Sequence, residues 1–371
     1  MADPIRLGII GANVNGWAGR AHMPALAAGV PGVELVAVCT TRQESADEAA
    51  KKFGVGLAFS DRAKMLAHPD IDVVAVVVKL PAHRELAMDV IAAGKHVYTE
   101  WPLGTTTAQA QEIADAAAAK GVRTCVGLQA RHSAEYRHLR GLIDDGYVGD
   151  VLSCSMMQVG GGAMGERPPG RVWQRDAAVA ANTLSIGFGH AIDGLTSVVG
   201  PIESVAGVVG TQVKEWTEAG TGKRYPVTAP DDILLSGRLR SGATVSVHVA
   251  SAGGVGTGCR IDIHGTEGTL VLEATGSPHS SSPARILGAR RGDKELAEIE
   301  VPQDDWITAA GLKGGSINIG KLWKSFADSF AEGDDADGGA AFAPSFESAV
   351  EHHKLIDAVR TASETGQTQK L

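Results

Sequence analysis

The sequence predicts an α/β plus α+β protein: an N-terminal parallel sheet, then a C-terminal half built on a largely antiparallel open sheet. Three observations carry this. The stretch Ile5 to His22, IRLGIIGANVNGWAGRAH, passes from a short apolar run through a glycine turn directly into a helical pattern. Strand and helix patterns then alternate as far as about residue 128, which requires a parallel sheet covered on both faces. Beyond residue 150 the strands lie further apart or pair as hairpins. With 371 residues the chain exceeds one ordinary core, so two domains are expected, 1–128 and 129–371, the C-terminal helices being free to pack back on the first.

In chain order, Leu7 to Ile10 is the first strand and Gly11 its turn. Amides near Gly16 to Ala18 open the next helix, where a Rossmann-type unit holds a pyrophosphate. Asn13 stands at the second glycine of G-x-G-x-x-G, and asparagine is the next best residue at positive φ. Trp17 belongs to the same turn. An ordinary glycine-rich turn is the alternative on these residues alone.

Val33 to Cys39 is the second strand, followed by a helix from Glu44 to Phe53 that Gly54 closes. The residues after this strand are Thr40, Thr41 and Arg42. No carboxylate is present to hold two ribose hydroxyls, and an arginine with two hydroxyls suits a 2'-phosphate, so NADP is expected, with NAD possible. A solvated loop arginine is the alternative.

Ile71 to Val78 is an unbroken apolar strand that ends in Lys79, Leu80 and Pro81. A helix from His83 to Ala93 follows, then a strand from His96 to Thr99 that runs into Glu100, Trp101 and Pro102. Thr106 and Gln109 form an expected capping box for a helix reaching Lys120, and Arg123 to Gly127 is the sixth strand. Ligands of such a sheet bind at the carboxyl ends of its strands.

Composition narrows the function class. A net charge of -9 argues against a nucleic-acid partner, which would want a basic face. Cys39, Cys125, Cys154 and Cys259 have no paired spacing and read as small buried hydrophobes; no metal site is implied. No leader pattern and no apolar run long enough to span a bilayer is present, so a cytoplasmic protein without membrane attachment is expected.

GIIGANVNG, LPAHRELAMDVIAAGKHVYTEWPLG and GLQARHSAEYRHLRGLIDDGYVGDV together resemble the Gfo/Idh/MocA oxidoreductases. NGWAGRAHMPAL, KLPAH and EWP resemble the branch that holds the yeast galactose-regulon repressor and its bacterial relatives. The resemblance implies NAD(P) binding, action on sugars or polyols, and homodimers or homotetramers. It implies cofactor contacts from the first turn, from Leu80, Pro81 and His83, from Glu100, Trp101 and Pro102, and from Gln129. It also exposes a departure: most of the family carries Glu-Lys-Pro, and here the lysine position is Trp101. An indole N–H donates only and takes no proton from a carbinol. Lys79, at the carboxyl edge of the sheet, is one place to which that task can move, if partial burial lowers its pKa. A surface lysine snorkelling from the strand end is the alternative.

After a helix from Ala134 to Asp145, strands are expected at 150–159, 204–209, 233–240, 244–250, 260–264 and 269–272, with tight hairpins at Ser241-Gly242 and in HGTEGTL. One helix, Ala181 to Val198, packs on this sheet, whose other face is expected to be covered by another subunit. Gly160 to Asp176 reads as a polar loop whose Trp173, Arg175 and Asp176, with Asn182, line a sugar-sized cleft. A mobile surface loop is the alternative. His190 and Asp193 match the family histidine and its downstream aspartate, the histidine touching the reacting hydroxyl, while the frequent aspartate one turn earlier is Ile186. Gly210 to Pro230 and GSPHSSSP read as loops, the helix through Phe330 as ending in GDDADGG, and His353 as a packing residue of the last helix. The expected function is hydride transfer between a sugar carbinol and a nicotinamide; a regulatory binding protein that lost catalysis is the competing expectation. The expected partners are a small carbohydrate and further copies of the chain.

Overall fold

A computed structural model describes residues 3–161, 166–280, 282–332 and 343–371. The chain divides into two compact units, Met1–Gln129 with Asp304–Glu351, and Ala130–Gln303 with His352–Leu371. The acidic turn expected after Phe330 lies outside the described residues.

The first unit holds six strands: β1 (Ile5–Ile10), β2 (Val33–Cys39), β3 (Leu57–Phe59), β4 (Val73–Val76), β5 (His96–Glu100) and β6 (Thr124–Gly127). Their order is β3-β2-β1-β4-β5-β6 and every pair is parallel. Neighbouring strands therefore diverge in sequence direction between β1 and β4, and the crevice at their carboxyl ends is where this sheet type takes a ligand. β4 is shorter than the sequence suggests, because the 3-10 turn Leu80–Ala82 bends the chain soon after Val76. Its four residues are fully buried. The helix Gln43–Phe53 ends at Gly54, with φ at 70°, as its sequence predicts. The Thr106 hydroxyl accepts from the Gln109 amide, but Gln109 Oε1 takes the Thr105 N–H at 3.1 Å, so the expected box closes one residue early. The helix Gly315–Glu332 returns to this unit, and its Leu322, Trp323 and Phe326 join Leu7, Ile9, Met23 and Leu26 in one apolar core. Truncating a buried aromatic of this kind costs about 3–5 kcal/mol.

The second unit contains β7 (Val151–Gly161), β8 (Glu166–Arg167), β9 (Ile202–Gly210), β10 (Glu215–Glu218), β11 (Arg224–Pro226), β12 (Asp232–Leu239), β13 (Thr244–Gly253), β14 (Gly258–Gly265), β15 (Gly268–Ala274), β16 (Ala284–Arg290), β17 (Ala297–Ile299) and β18 (Gln369–Lys370). Nine of them form one sheet, β17-β16-β15-β14-β7-β13-β12-β9-β18. It is antiparallel throughout except between β7 and β13. Both expected hairpins are present, β12 with β13 and β14 with β15. One face is exposed at Met157, Val208 and Leu234.

Three sequence expectations change here. Gly210 to Pro230 is not a loop: β10 and β11 join β8 in a three-stranded sheet, because Trp216, Val227 and Ala229 supply a small core of their own. The polar stretch 160–176 is mostly ordered as the end of β7, β8 and the 3-10 segment Pro169–Arg175; residues 162–165 lie outside the described residues. The expected helix 181–198 begins as a π-helical turn, Thr183–Phe188, before the α-helix Gly189–Val199. Its start is set by Asn182, whose side-chain oxygen accepts from Leu184 and Ser185 N–H while Ser185 Oγ accepts from the Asn182 amide.

All four cysteines are buried, as expected. Burial pushes the thiols up, to about 11 for Cys39 and about 12 for Cys154 and Cys259. Thiols this weakly acidic are poor nucleophiles. Among the described residues no helix is long and apolar enough to cross a membrane.

Candidate functional site

In the first unit, Gly11 turns the chain out of β1 with φ at +89°, and a Cβ there would lie 2.2 Å from the Val77 carbonyl oxygen. Only glycine fits this approach of β1 to the end of β4. Asn13 is corrected: it does not take positive φ, and it works through its side chain, whose oxygen accepts from the Asn15 N–H at 2.8 Å. The Asn13 carbonyl accepts from Gly16 and Gly19 N–H. Gly19 was not anticipated, although a Cβ there would meet the Val14 oxygen at 2.2 Å. Its signal in the sequence was a glycine three residues past Gly16, beyond the span of the motif. Trp17 packs on Gly315 and edge-on to His22.

Past β2, the Thr40 hydroxyl hydrogen-bonds Ser45 and the Arg42 carbonyl, Thr41 is exposed, and Arg42 stands exposed before the helix Gln43–Phe53. The Arg42 guanidinium makes no hydrogen bond or ion pair among the described residues. Past β4, Lys79 is exposed, which corrects the expectation of partial burial: the bend at Leu80 carries its side chain to the surface. Leu80 is buried, Pro81 exposed. His83 is buried with its ring nitrogens 2.8 Å from the Pro102 carbonyl and 3.1 Å from the Val78 carbonyl, so it ties the ends of β4 and β5 together. Burial lowers its pKa.

A chain of hydrogen bonds sets Glu100. The Trp323 indole N–H can only donate, and it donates to His22 Nδ1 at 3.1 Å. His22 therefore carries its proton on Nε2 and gives it to Glu100 Oε1 at 2.7 Å. The Tyr98 hydroxyl donates to the same oxygen at 2.9 Å, and burial raises its pKa so far that it remains a donor. Nothing near His22 in the sequence signals this role, because both partners are remote. Trp101 is buried and joined to Pro102 by a cis peptide. Gln129 is buried, and its Oε1 has no hydrogen-bond partner among the described residues. The Gly11 turn, the uncommitted Arg42 cation and the orphaned Gln129 oxygen fit a dinucleotide.

In the second unit, His190 sits in the first turn of the helix Gly189–Val199, 6% exposed. Its Nδ1 is buried and has no hydrogen-bond partner among the described residues. The His279 ring lies flat against it, with centroids 4.5 Å apart and planes 11° apart. Burial first, then His279 and His352, hold the His190 pKa well below its usual value, so the ring is neutral. Asp193, one turn on, is fully buried and forms a two-pronged ion pair with Arg131; His352 Nε2 lies 3.3 Å from its Oδ1. Asp193 thus braces the helix. His353 is buried, and burial takes its pKa down to about 4.

The other expected ligand groups are largely occupied. Asp176 caps Ala177–Val179 through Oδ1, which accepts from the Ala178 N–H, and Asn182 caps its own helix, so both serve the backbone with one oxygen. The Trp173 N–H goes to the Gly170 carbonyl, and Arg175 lies over the Tyr225 ring while donating to the Val172 carbonyl. Ile186 is half-buried and supplies no acid. Among the described residues no group of His, Cys, Asp and Glu could hold a metal.

Residues 5–128 match the oxidoreductase family with NAD-binding Rossmann fold (Gfo/Idh/MocA), and residues 136–274 match the C-terminal domain of Gal80p. The galactose/lactose metabolism regulatory protein GAL80 of Saccharomyces cerevisiae is 31% identical over 295 residues, 73% of this chain and 67% of the yeast protein. Levoglucosan dehydrogenase of Pseudarthrobacter phenanthrenivorans is 27% identical over 291 residues, 72% of this chain and 73% of the enzyme. A crystal structure of a super-repressor mutant of yeast Gal80p superposes with a TM-score of 0.85 at 25% identity, covering 99% of this chain and 97% of that one. These relatives are of two kinds, a levoglucosan dehydrogenase and a metabolic regulator. They correct the expectation that partners are confined to a small carbohydrate and copies of the chain, with no nucleic acid. A regulator of galactose metabolism and a super-repressor stand among the relatives, and a net charge of -9 says nothing against control exerted through another macromolecule.

Proposed function

Because the chain belongs to the Gfo/Idh/MocA oxidoreductase family and carries a Gal80p-type C-terminal domain, we propose that it is a nicotinamide-dependent oxidoreductase acting on a carbinol of a sugar or sugar derivative. The observation that carries this reading is His190: a buried neutral imidazole with an unpartnered nitrogen, in a chain whose lysine position holds Trp101. A bound nicotinamide supplies the hydride acceptor. The chain must supply the acceptor for the hydroxyl proton, and a neutral imidazole does this where an indole does not. Lys79 is the second candidate; its exposure favours a proton relay to solvent over a tuned base. The 2'-phosphate of NADP suits the uncommitted Arg42, with Thr40 and Thr41 beside it. Glu100, fixed by His22 and Tyr98, and Gln129 face the cofactor with Gly11, Asn13, Gly16, Trp17, Leu80, Pro81, His83, Trp101 and Pro102. Trp173, Arg175 and Asp176 of the polar stretch, with Asn182, are the substrate groups of this reading.

A second reading has its own support. Buried Trp101 and the regulatory relative favour a protein that binds nucleotide or sugar and signals without turnover. Nicotinamide absorbance, followed with NADP or NAD and a panel of hexoses, disaccharides and glycosides, with keto sugars in reverse, separates the two. Turnover that disappears in His190→Ala supports the enzyme. Tight cofactor binding without turnover on the panel supports the regulator. Normal turnover of Lys79→Ala removes Lys79 from the proton path.

A further inference from the structure

We infer that His279 is a positioning residue for His190: its imidazole, anchored through Ser277 to Gln158, fixes the plane in which the His190 nitrogens lie. The inference rests on the reading of His190 as the proton acceptor. The anchor is continuous. Gln158, in β7 and 7% exposed, accepts at Oε1 from the Ser277 hydroxyl at 3.0 Å. That hydroxyl has spent its one proton, so it accepts from His279 Nδ1–H at 2.5 Å, which fixes the His279 tautomer. His279 sits in the 3-10 turn Pro278–Ser280, between β15 and β16, so the sheet itself carries the support.

The contact between the two rings is parallel stacking, 4.5 Å between centroids and 11° between planes, so no proton passes from ring to ring. Its effect is steric and electrostatic. The titratable groups acting on His190 are His279 from its turn and His352 from the helix Phe346–Thr365, while Asp193, one turn on in its own helix, is paired with Arg131. A flat neutral ring covers one side of His190, and among the described residues no carboxylate forms an ion pair with it. His190 is thereby presented as a neutral imidazole in a fixed plane, the arrangement that a proton acceptor needs before its ligand arrives.

Histidine-labelled full-length protein with NADP present tests this through the nitrogen shifts of His190 during a pH titration, measured beside turnover in wild type, His279→Ala, His279→Phe and Ser277→Ala. In wild type His190 stays neutral in one tautomer. His279→Ala is expected to raise its midpoint by about one pH unit or more and to mix its tautomers. The same change should lower kcat about tenfold or more with KM little altered, while His279→Phe, which keeps a flat ring, restores most of it. Ser277→Ala should move both readouts in the same direction by less, and it decides the matter if His279→Ala does not fold. An unchanged His190 midpoint and tautomer in the folded variants overturns the inference. Absence of turnover in every protein would overturn the oxidoreductase reading while the titration still decides the role of His279.

Discussion

Each unit buries histidines, and the partners they keep divide them. In the first unit His22 is held between Trp323 and Glu100, and His83 between two backbone carbonyls, so every ring nitrogen has a neighbour inside the fold. In the second unit His190 is also buried, but its Nδ1 has no hydrogen-bond partner among the described residues. An unmet buried polar atom costs about 1–3 kcal/mol, which a scaffold residue has no reason to keep and a ligand-binding residue recovers on binding. The first unit's histidines tie its elements together; the open Nδ1 of His190 is the one the proposed function assigns to a ligand.

Paired substitutions at His190 and His22 sharpen this most. His190→Ala should lower kcat about 10²–10⁴-fold and leave the melting temperature nearly unchanged. His22→Ala should cost about 2–4 kcal/mol in urea unfolding, since it strands the Trp323 N–H and opens a cavity, and should weaken cofactor binding. Equal stability losses from both would break the comparison. Next in size, Asp193→Ala leaves Arg131 and His352 without their buried acid and should cost about 3–5 kcal/mol.

Acid should weaken the second unit. His279 and His353 titrate at about 4 in the fold and near 6.5 when unfolded, so between these values the unfolded chain binds more protons. Stability is therefore full above about pH 6.5 and falls as the pH drops towards 4, by about 3 kcal/mol for each histidine at the lower end. Urea unfolding at pH 7 and pH 5 reads this, and His353→Gln should flatten the slope. The smallest expected effect is at the first unit's surface: Arg42→Ala should shift the NADP to NAD affinity ratio about tenfold towards NAD, roughly 1.4 kcal/mol, measured by fluorescence titration.

The sequence revealed what is local. The run Leu7 to Ile10 with Gly11, the caps at Gly54 and Thr106, and the hairpins at Ser241-Gly242 and HGTEGTL are signalled within a few residues, and all are present. Pairings between distant segments were not legible. β7 and β13 lie side by side although some 90 residues separate them, and β8 finds β10 across a helix and a strand. The site divides the same way. Gly11 and His190 stand in recognisable patterns, while His22 and His279 acquire their roles only from Trp323, Glu100 and the His190 ring, which the chain brings from far away. Asp176 and Asn182, expected at a cleft, also accept from the backbone, a local use that the sequence pattern did not signal.

The core of the first unit draws on two separated stretches, with Ala21, Met23 and Leu26 covered by Leu322, Trp323 and Phe326. During synthesis this patch leaves the ribosome long before its cover. On the order of 300 residues must be added first, about 15–60 s at common elongation rates. For that time the nascent chain shows an apolar surface to solvent or to a chaperone, and the larger segment of the second unit, Ala130–Gln303, emerges before the first can close. The first unit thus closes late although its sequence comes early, and the second gains β18, which pairs with β9, later still.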